Sequence, residues 1–270
     1  MQPKLSYSDL AFIVRTVATK RQDYENIVAI VKDKPDLLEI MLDDPKLFQR
    51  IMNEEEVLLR ISPYLLFDIL LRQARRELQT RTYTYEKTAI RWKVPVFDGL
   101  QVGDLMANPR IRSYLAGMLA SFTRTQTATV YYKIGSRLYK RRYSDLSIDD
   151  LRELARLVDQ GQRFLLHKRI GDVCLFLTAL FPEYIEQADT YPFSKAQRPV
   201  FLPRKPRSID NYVAEGRKFY RLAAEDQKVR GSELETVFRT LAESFALARK
   251  PLMHIADRYL SFKKFDLFSA

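Results

Sequence analysis

A chain of 270 residues with 46% hydrophobic content can bury a substantial core, which excludes disorder throughout. Eight glycines are too few for the tight turns of a sandwich or propeller, and a single cysteine leaves no internal disulfide and no Cys-rich zinc site. A formal charge of +11 and a pI of about 9.6 favour polyanionic partners, nucleic acid or an anionic membrane surface.

The first residues, MQPKLSYSDLAFIVRTVATKR, hold only a short apolar stretch, Leu10 to Val14. The longest such stretch, Val173 to Phe181, is interrupted by Thr178. Neither a signal peptide nor a membrane anchor is expected, and the cytoplasm is the default compartment.

Helix starts are marked by capping residues and prolines. Ser8 with Asp9 is placed to cap a helix running through Val17, and Tyr24, Ile27, Val28, Ile30 and Val31 form a second apolar segment. Lys34-Pro35, Asp44-Pro45 and Ser62-Pro63 each put proline at a first helical position, where its missing N–H has no intrahelical partner to lose. Helices are predicted over 35–42, 45–60 and 63–80. In the last, Leu65, Leu66, Ile69, Leu70 and Leu78 recur at helical spacing, and Arg72, Arg75 and Arg76 lie towards the end that favours cations.

Residues 82–107 break the pattern with β-branched and aromatic residues, Pro95, Gly99 and Gly103, and read as a long connection with a short strand around 90–97. Asn108-Pro109 opens a helix carrying Ile111, Tyr114, Leu115, Met118, Leu119 and Phe122. The segment TATVYYKIGSRLYKRRYS follows as a β-hairpin over about 127–143, with Gly135-Ser136 as a type II′ turn. Ser147 and Asp150 form an expected capping box for a helix to about residue 160, and a strongly apolar helix spans 163–181 before Pro182. Pro192, Pro199, Pro203 and Pro206 mark 190–207 as a linker. Helices at about 208–228, 232–248 (Ser232 and Glu235 as a second capping box) and 251–261 close the chain, and no internal repeat is found.

The expected fold is therefore mainly α, with nine or ten helices in a globular bundle and one short β-hairpin. A main domain over 1–189 is joined by the linker 190–207 to a C-terminal helical segment, 208–270, packed upon it.

Familiar catalytic and metal-binding patterns are missing from the sequence. His167 and His254 lack the glutamate three residues earlier that a di-iron bundle uses, since position 164 is Phe and position 251 is Pro. No His-Glu-x-x-His, phosphate-cradling glycine loop or Gly-x-Ser-x-Gly occurs. Cys174, seven residues after His167, reads as a small buried hydrophobe rather than a nucleophile. Trp92, between Arg91 and Lys93, reads as a packing anchor rather than a base-stacking platform. No catalytic residue, metal or cofactor is expected.

Charge is segregated. From Leu105 to Ser144 there is no acid, while Arg110, Arg112, Arg124, Lys133, Arg137, Lys140, Arg141 and Arg142 are basic. The stretch 190–209 repeats this on a smaller scale, whereas Asp36 to Glu56 carries seven acids against Lys46 and Arg50. Across the expected turn Ile134 would face Arg137, Tyr132 would face Tyr139 and Val130 would face Arg141 on a more apolar, inward side. The other side would carry Tyr131, Lys133, Leu138, Lys140 and Arg142, suited to a phosphate backbone with tyrosine available to stack.

Non-catalytic nucleic-acid binding through Arg110, Arg112, Arg124, Tyr131, Lys133, Lys140, Arg141 and Arg142 is the leading expectation. Two alternatives stand beside it. The basic face docks an acidic protein partner, or the acidic 36–56 region of a second copy; or the chain is an enzyme with a cryptic site. The hairpin's charges also have a bland reading, as protection of an exposed strand edge.

Overall fold

The computed structural model describes residues 5–21, 23–81, 83–87, 93–124, 127–134, 137–183, 185, 207–260 and 267–268. Among them are twelve α-helices and two two-stranded antiparallel sheets, so the mainly helical class is as expected and the helix count is higher.

Helix α1, Tyr7–Val17, is capped two residues before Ser8. The Ser6 hydroxyl accepts from the Asp9 amide at 3.1 Å, and the Asp9 carboxylate accepts from the Ser6 amide at 2.9 Å, a reciprocal capping box. The other Asp9 oxygen accepts from the amide of Ser62 at 2.7 Å, 53 residues away. One buried carboxylate thus ties two helix starts together.

Helices α2 (Tyr24–Asp33), α3 (Pro35–Leu42) and α4 (Pro45–Asn53) follow. The helix expected over 45–60 is split: Glu54 is extended (φ −115°, ψ 101°) and a 3-10 turn takes Glu55–Leu59. Continuing α4 would set Glu54, Glu55 and Glu56 against the negative end of its dipole; the break moves two of them to the start of a new turn. Helix α5, Pro63–Gln79, is capped by the Ser62 hydroxyl, which accepts from the Leu65 amide at 3.2 Å.

The predicted long connection holds more structure than expected. Strands β1 (Thr84–Lys87) and β2 (Lys93–Val96) pair antiparallel, and helix α6 spans Gly99–Ala107. Its two glycines resemble loop residues but serve close packing. A Cβ at Gly99 would collide with the carbonyl oxygen of Arg81, and one at Gly103 with the side chain of Gln79, where α6 crosses the end of α5.

Helix α7, Pro109–Phe122, leads into the hairpin of β3 (Thr127–Ile134) and β4 (Arg137–Ser144). Then come α8 (Ile148–Leu157), α9 (Gln160–Leu180), α10 (Ile209–Ala224), α11 (Glu233–Glu243) and α12 (Phe245–Arg258). Helix α9 lies at the centre. From Ile170 onward every residue of it is buried, as expected of a helix apolar all round. It packs against α8, α10 and α12, while α5 packs against α6, α7 and α12. One continuous apolar core runs from Leu10 to Phe268.

The closing helices differ from expectation. The break falls at Ser244, and Pro251 lies inside α12 rather than at its start. An earlier start lets Phe245 pack on α10 at Gly216, where a Cβ would strike its ring. Helix α12 also reaches back to the first half of the chain: Lys250 pairs with Asp98, and His254 Nε2 lies 3.0 Å from Glu77. Except for Arg207, the predicted linker lies outside the described residues, as does Trp92.

Candidate nucleic-acid interface

The hairpin has the register expected of it. Ile134 pairs with Arg137, Tyr132 with Tyr139 and Val130 with Arg141; between them Lys133 pairs with Leu138, Tyr131 with Lys140 and Thr129 with Arg142. The Gly135-Ser136 turn lies outside the described residues.

Its base is firmly held. Tyr143 is buried, the Ser144 amide donates to Asp150 at 3.0 Å, and the Ser147 hydroxyl accepts from the Asp150 amide at 3.3 Å. Asp150 therefore reaches past Ser147 to the end of β4, a variation on the expected capping box. Arg169 of α9 completes the anchorage. Its guanidinium lies 3.8 Å from the centre of the Phe122 ring, donates to the Ser121 hydroxyl at 2.8 Å and pairs with Asp145 at 2.5 Å. Three helices thus pin the point where the ladder leaves the bundle. Arg124, beside that base, is exposed.

The two arginines at the start of α7 behave differently. Arg110 is about half exposed (52%) and pairs with Glu233 of α11 at 2.6 Å. Arg112 requires a correction: it is 3% exposed and belongs to a buried ionic cluster instead of a basic surface. It donates to Glu39 at 3.0 Å and to the Met106 carbonyl at 3.3 Å. Burial, and next the charge of Arg72, pull its pKa down.

Arg72 is the hub of that cluster. Its Nε donates to Asp68 at 2.8 Å, Nη1 to Asp43 at 2.9 Å and Nη2 to Glu39 at 2.8 Å. Burial works against its charge, yet the three carboxylates hold the proton more firmly than usual. Much of the charge segregation seen in the sequence is therefore answered within the chain. Acids of α3 clasp arginines of α5 and α7, Asp44 caps α4 by accepting from the Lys46 amide, and Glu54 and Glu56 pair with Arg50 and Arg60. This leaves less of the acidic stretch for docking a second copy.

A second polar node surrounds Asp172. That fully buried carboxylate accepts from Tyr114 at 2.5 Å, Tyr220 at 2.9 Å and Lys168 at 2.6 Å, joining α7, α9 and α10. Both phenols are held well above their ordinary pKa, by burial and then by the Asp172 charge. Spacing within α9 pairs Lys168 with Asp172, but the tyrosines come from helices that only the fold brings near.

Cys174 is fully buried where α9 crosses α10, and burial pushes its thiol far above the ordinary range. Cys174→Ala is expected to lower stability by about 1 kcal/mol, the cost of a small cavity, and to leave any activity of the protein unchanged. Denaturant titration and binding measurements check this; rapid alkylation of the native thiol would contradict it. His167 rests against the Phe219 ring at 5.5 Å.

Burial lowers the pKa of both histidines, although Asp226 and Glu77 pull in the opposite direction. The folded state then binds fewer protons than the unfolded state just below the ordinary value of 6.5. This contribution to stability is fully present above 6.5 and is lost as pH falls through the lowered folded values. The thermal midpoint should drop between about pH 7.5 and pH 5.5, and the double variant His167→Gln, His254→Gln should flatten the drop. Equal slopes in the two proteins would refute this assignment.

Among the described residues, no group of three or more His, Cys, Asp or Glu is arranged to hold a metal ion, and no helix is long and apolar enough to cross a membrane. Compared with protein-family models, curated protein sequences and solved structures, the chain matches none.

Proposed function

We propose that the protein binds nucleic acid, without catalysis, through the β3–β4 hairpin and Arg124 beside its base. The observation that carries this reading is the concentration of positive charge on one anchored ladder. Residues 127–144 hold Lys133, Arg137, Lys140, Arg141 and Arg142 and no acid. The helix arginines of the same acid-free stretch are engaged by Glu39 and Glu233.

Eight residue pairs make a ladder about 25 Å long, enough to lie along several phosphates of one strand. The anchored base supports the reading, because an arm held at its root loses less freedom when it binds. Contacts of this type position a protein on a backbone and carry no sequence information, so binding should be largely indifferent to base sequence. Tyr131 adds a ring that can stack an unpaired base.

Fluorescence anisotropy with a labelled single strand and its duplex, at low salt, tests the proposal. Binding is expected for at least one form, with affinity falling steeply as salt rises. Tyr131→Ala should weaken single-strand binding by roughly 1–3 kcal/mol and barely affect duplex. Binding of neither form at low salt would overturn the reading and bring forward an acidic protein partner.

A further inference from the structure

A concave pocket of about 380 Å³ opens between the end of α5, strand β1 and helix α12, on residues that the hairpin reading does not use. Its described walls bring together Arg81, just beyond α5, with Lys250, His254 and Arg258 of α12. Asp257 is the one acid among them. The carboxylates that partner Lys250, His254 and Arg258 do not line the pocket. Asp98 pairs with Lys250 and accepts from the Thr84 hydroxyl at 2.5 Å. Glu77 takes Arg258 and His254, each at 3.0 Å, and accepts from Tyr259 at 2.7 Å. With Glu77 and Asp98 off the lining, the pocket surface carries more cations than acids, which favours an anionic occupant.

The fold accounts for Lys250 and His254, which are largely buried and joined to those carboxylates. It does not account for Arg81, which is partly exposed and makes no ion pair among the described residues. Arg81 and Arg258 are both guanidinium groups, whose planar forks match the oxygens of a phosphate. The remaining wall is of another kind: Leu78, Met253 and the ring of Tyr85, itself 44% exposed. The volume lies within the range of small-molecule sites and exceeds what a lone inorganic anion would fill.

We propose that this pocket binds a phosphomonoester attached to a planar ring, the make-up of a mononucleotide. Arg81 and Arg258 face the phosphate, and Tyr85 and Met253 face the ring. The same chemistry comes from two sources, a free nucleotide or the 5′-phosphorylated end of a strand. The site does not depend on the hairpin.

Isothermal titration of the full chain with adenosine 5′-monophosphate, adenosine and inorganic phosphate tests it. The monophosphate should bind at least about tenfold more tightly than either fragment. Arg81→Ala should weaken it by about tenfold or more with an unchanged circular dichroism spectrum. Tyr85→Ala, a second exposed position, should weaken the monophosphate while leaving the weak phosphate affinity as it was. Comparing the free monophosphate with a dinucleotide bearing a 5′-phosphate, and with the same dinucleotide lacking it, distinguishes the two sources. The hairpin variant Lys140→Ala, Arg141→Ala, Arg142→Ala should retain full affinity for the monophosphate. No binding at about 1 mM, equal binding by wild type and Arg81→Ala, or loss of binding in the hairpin variant would each overturn the proposal.

Discussion

Replacing Lys140, Arg141 and Arg142 together by alanine is expected to flatten the salt dependence of nucleic-acid binding by two to three units of log–log slope. The cause is electrostatic. Each phosphate neutralised by a cation releases condensed counterions, worth a slope of about −0.9 on duplex and −0.7 on a single strand. Three lost contacts therefore change the slope by about 2.7 or 2.1, with a matching loss of affinity at low salt. Two controls isolate the cause. A triple alanine change at Lys195, Arg198 and Arg204 removes the same charge from another basic stretch and should leave the slope close to wild type. Arg110→Ala breaks an ion pair with Glu233 and should also leave it unchanged. A hairpin variant with the wild-type slope would end the nucleic-acid reading.

Arg72→Ala should produce the largest loss of stability. The guanidinium is 2% exposed and donates to Asp68, Asp43 and Glu39, so its removal leaves the buried Asp68 carboxylate without its closest cation. Breaking a buried pair from one side costs about 3–5 kcal/mol, well above the typical surface ion pair. Arg112 does not compensate, because its Nε lies 3.7 Å from Asp68 and its own charge is already opposed by burial. Lysine at position 72 should recover only part of the loss, since one ammonium cannot reproduce three guanidinium contacts. Urea denaturation checks both variants; a loss below about 1 kcal/mol for Arg72→Ala would show that the cluster is a bystander.

The sequence was most informative where structure is set by a few neighbouring residues. Asp44-Pro45, Ser62-Pro63 and Asn108-Pro109 mark helix starts because cap and proline act within one turn, and in each case the side chain accepts from an amide of the first turn. The hairpin register was equally legible, since a two-residue turn determines every pair. What was missed depends on residues far apart in the chain. Gly99 and Gly103 looked like loop residues because their reason, the crossing of α5, is tertiary. Pro251 looked like a helix start because nothing local shows that Phe245 must reach Gly216. Arg112 looked like a surface cation because its acids, Glu39 and Asp68, lie 73 and 44 positions away. The pocket beside α12 joins segments separated by some 170 residues, and no local motif announces it.

The contacts of α12 with the first half of the chain also bear on how the protein is made. Lys250 meets Asp98 across 152 positions, and His254 meets Glu77 across 177. During synthesis these acids emerge long before Lys250 and His254, so the nascent chain holds both carboxylates without those partners beside an unfinished core. Such long-range closures come late and slow folding. Helix α12 is therefore a late closure, and a chain halted before Phe245 would hold most of its described helices without the contacts that join α12 to Glu77 and Asp98.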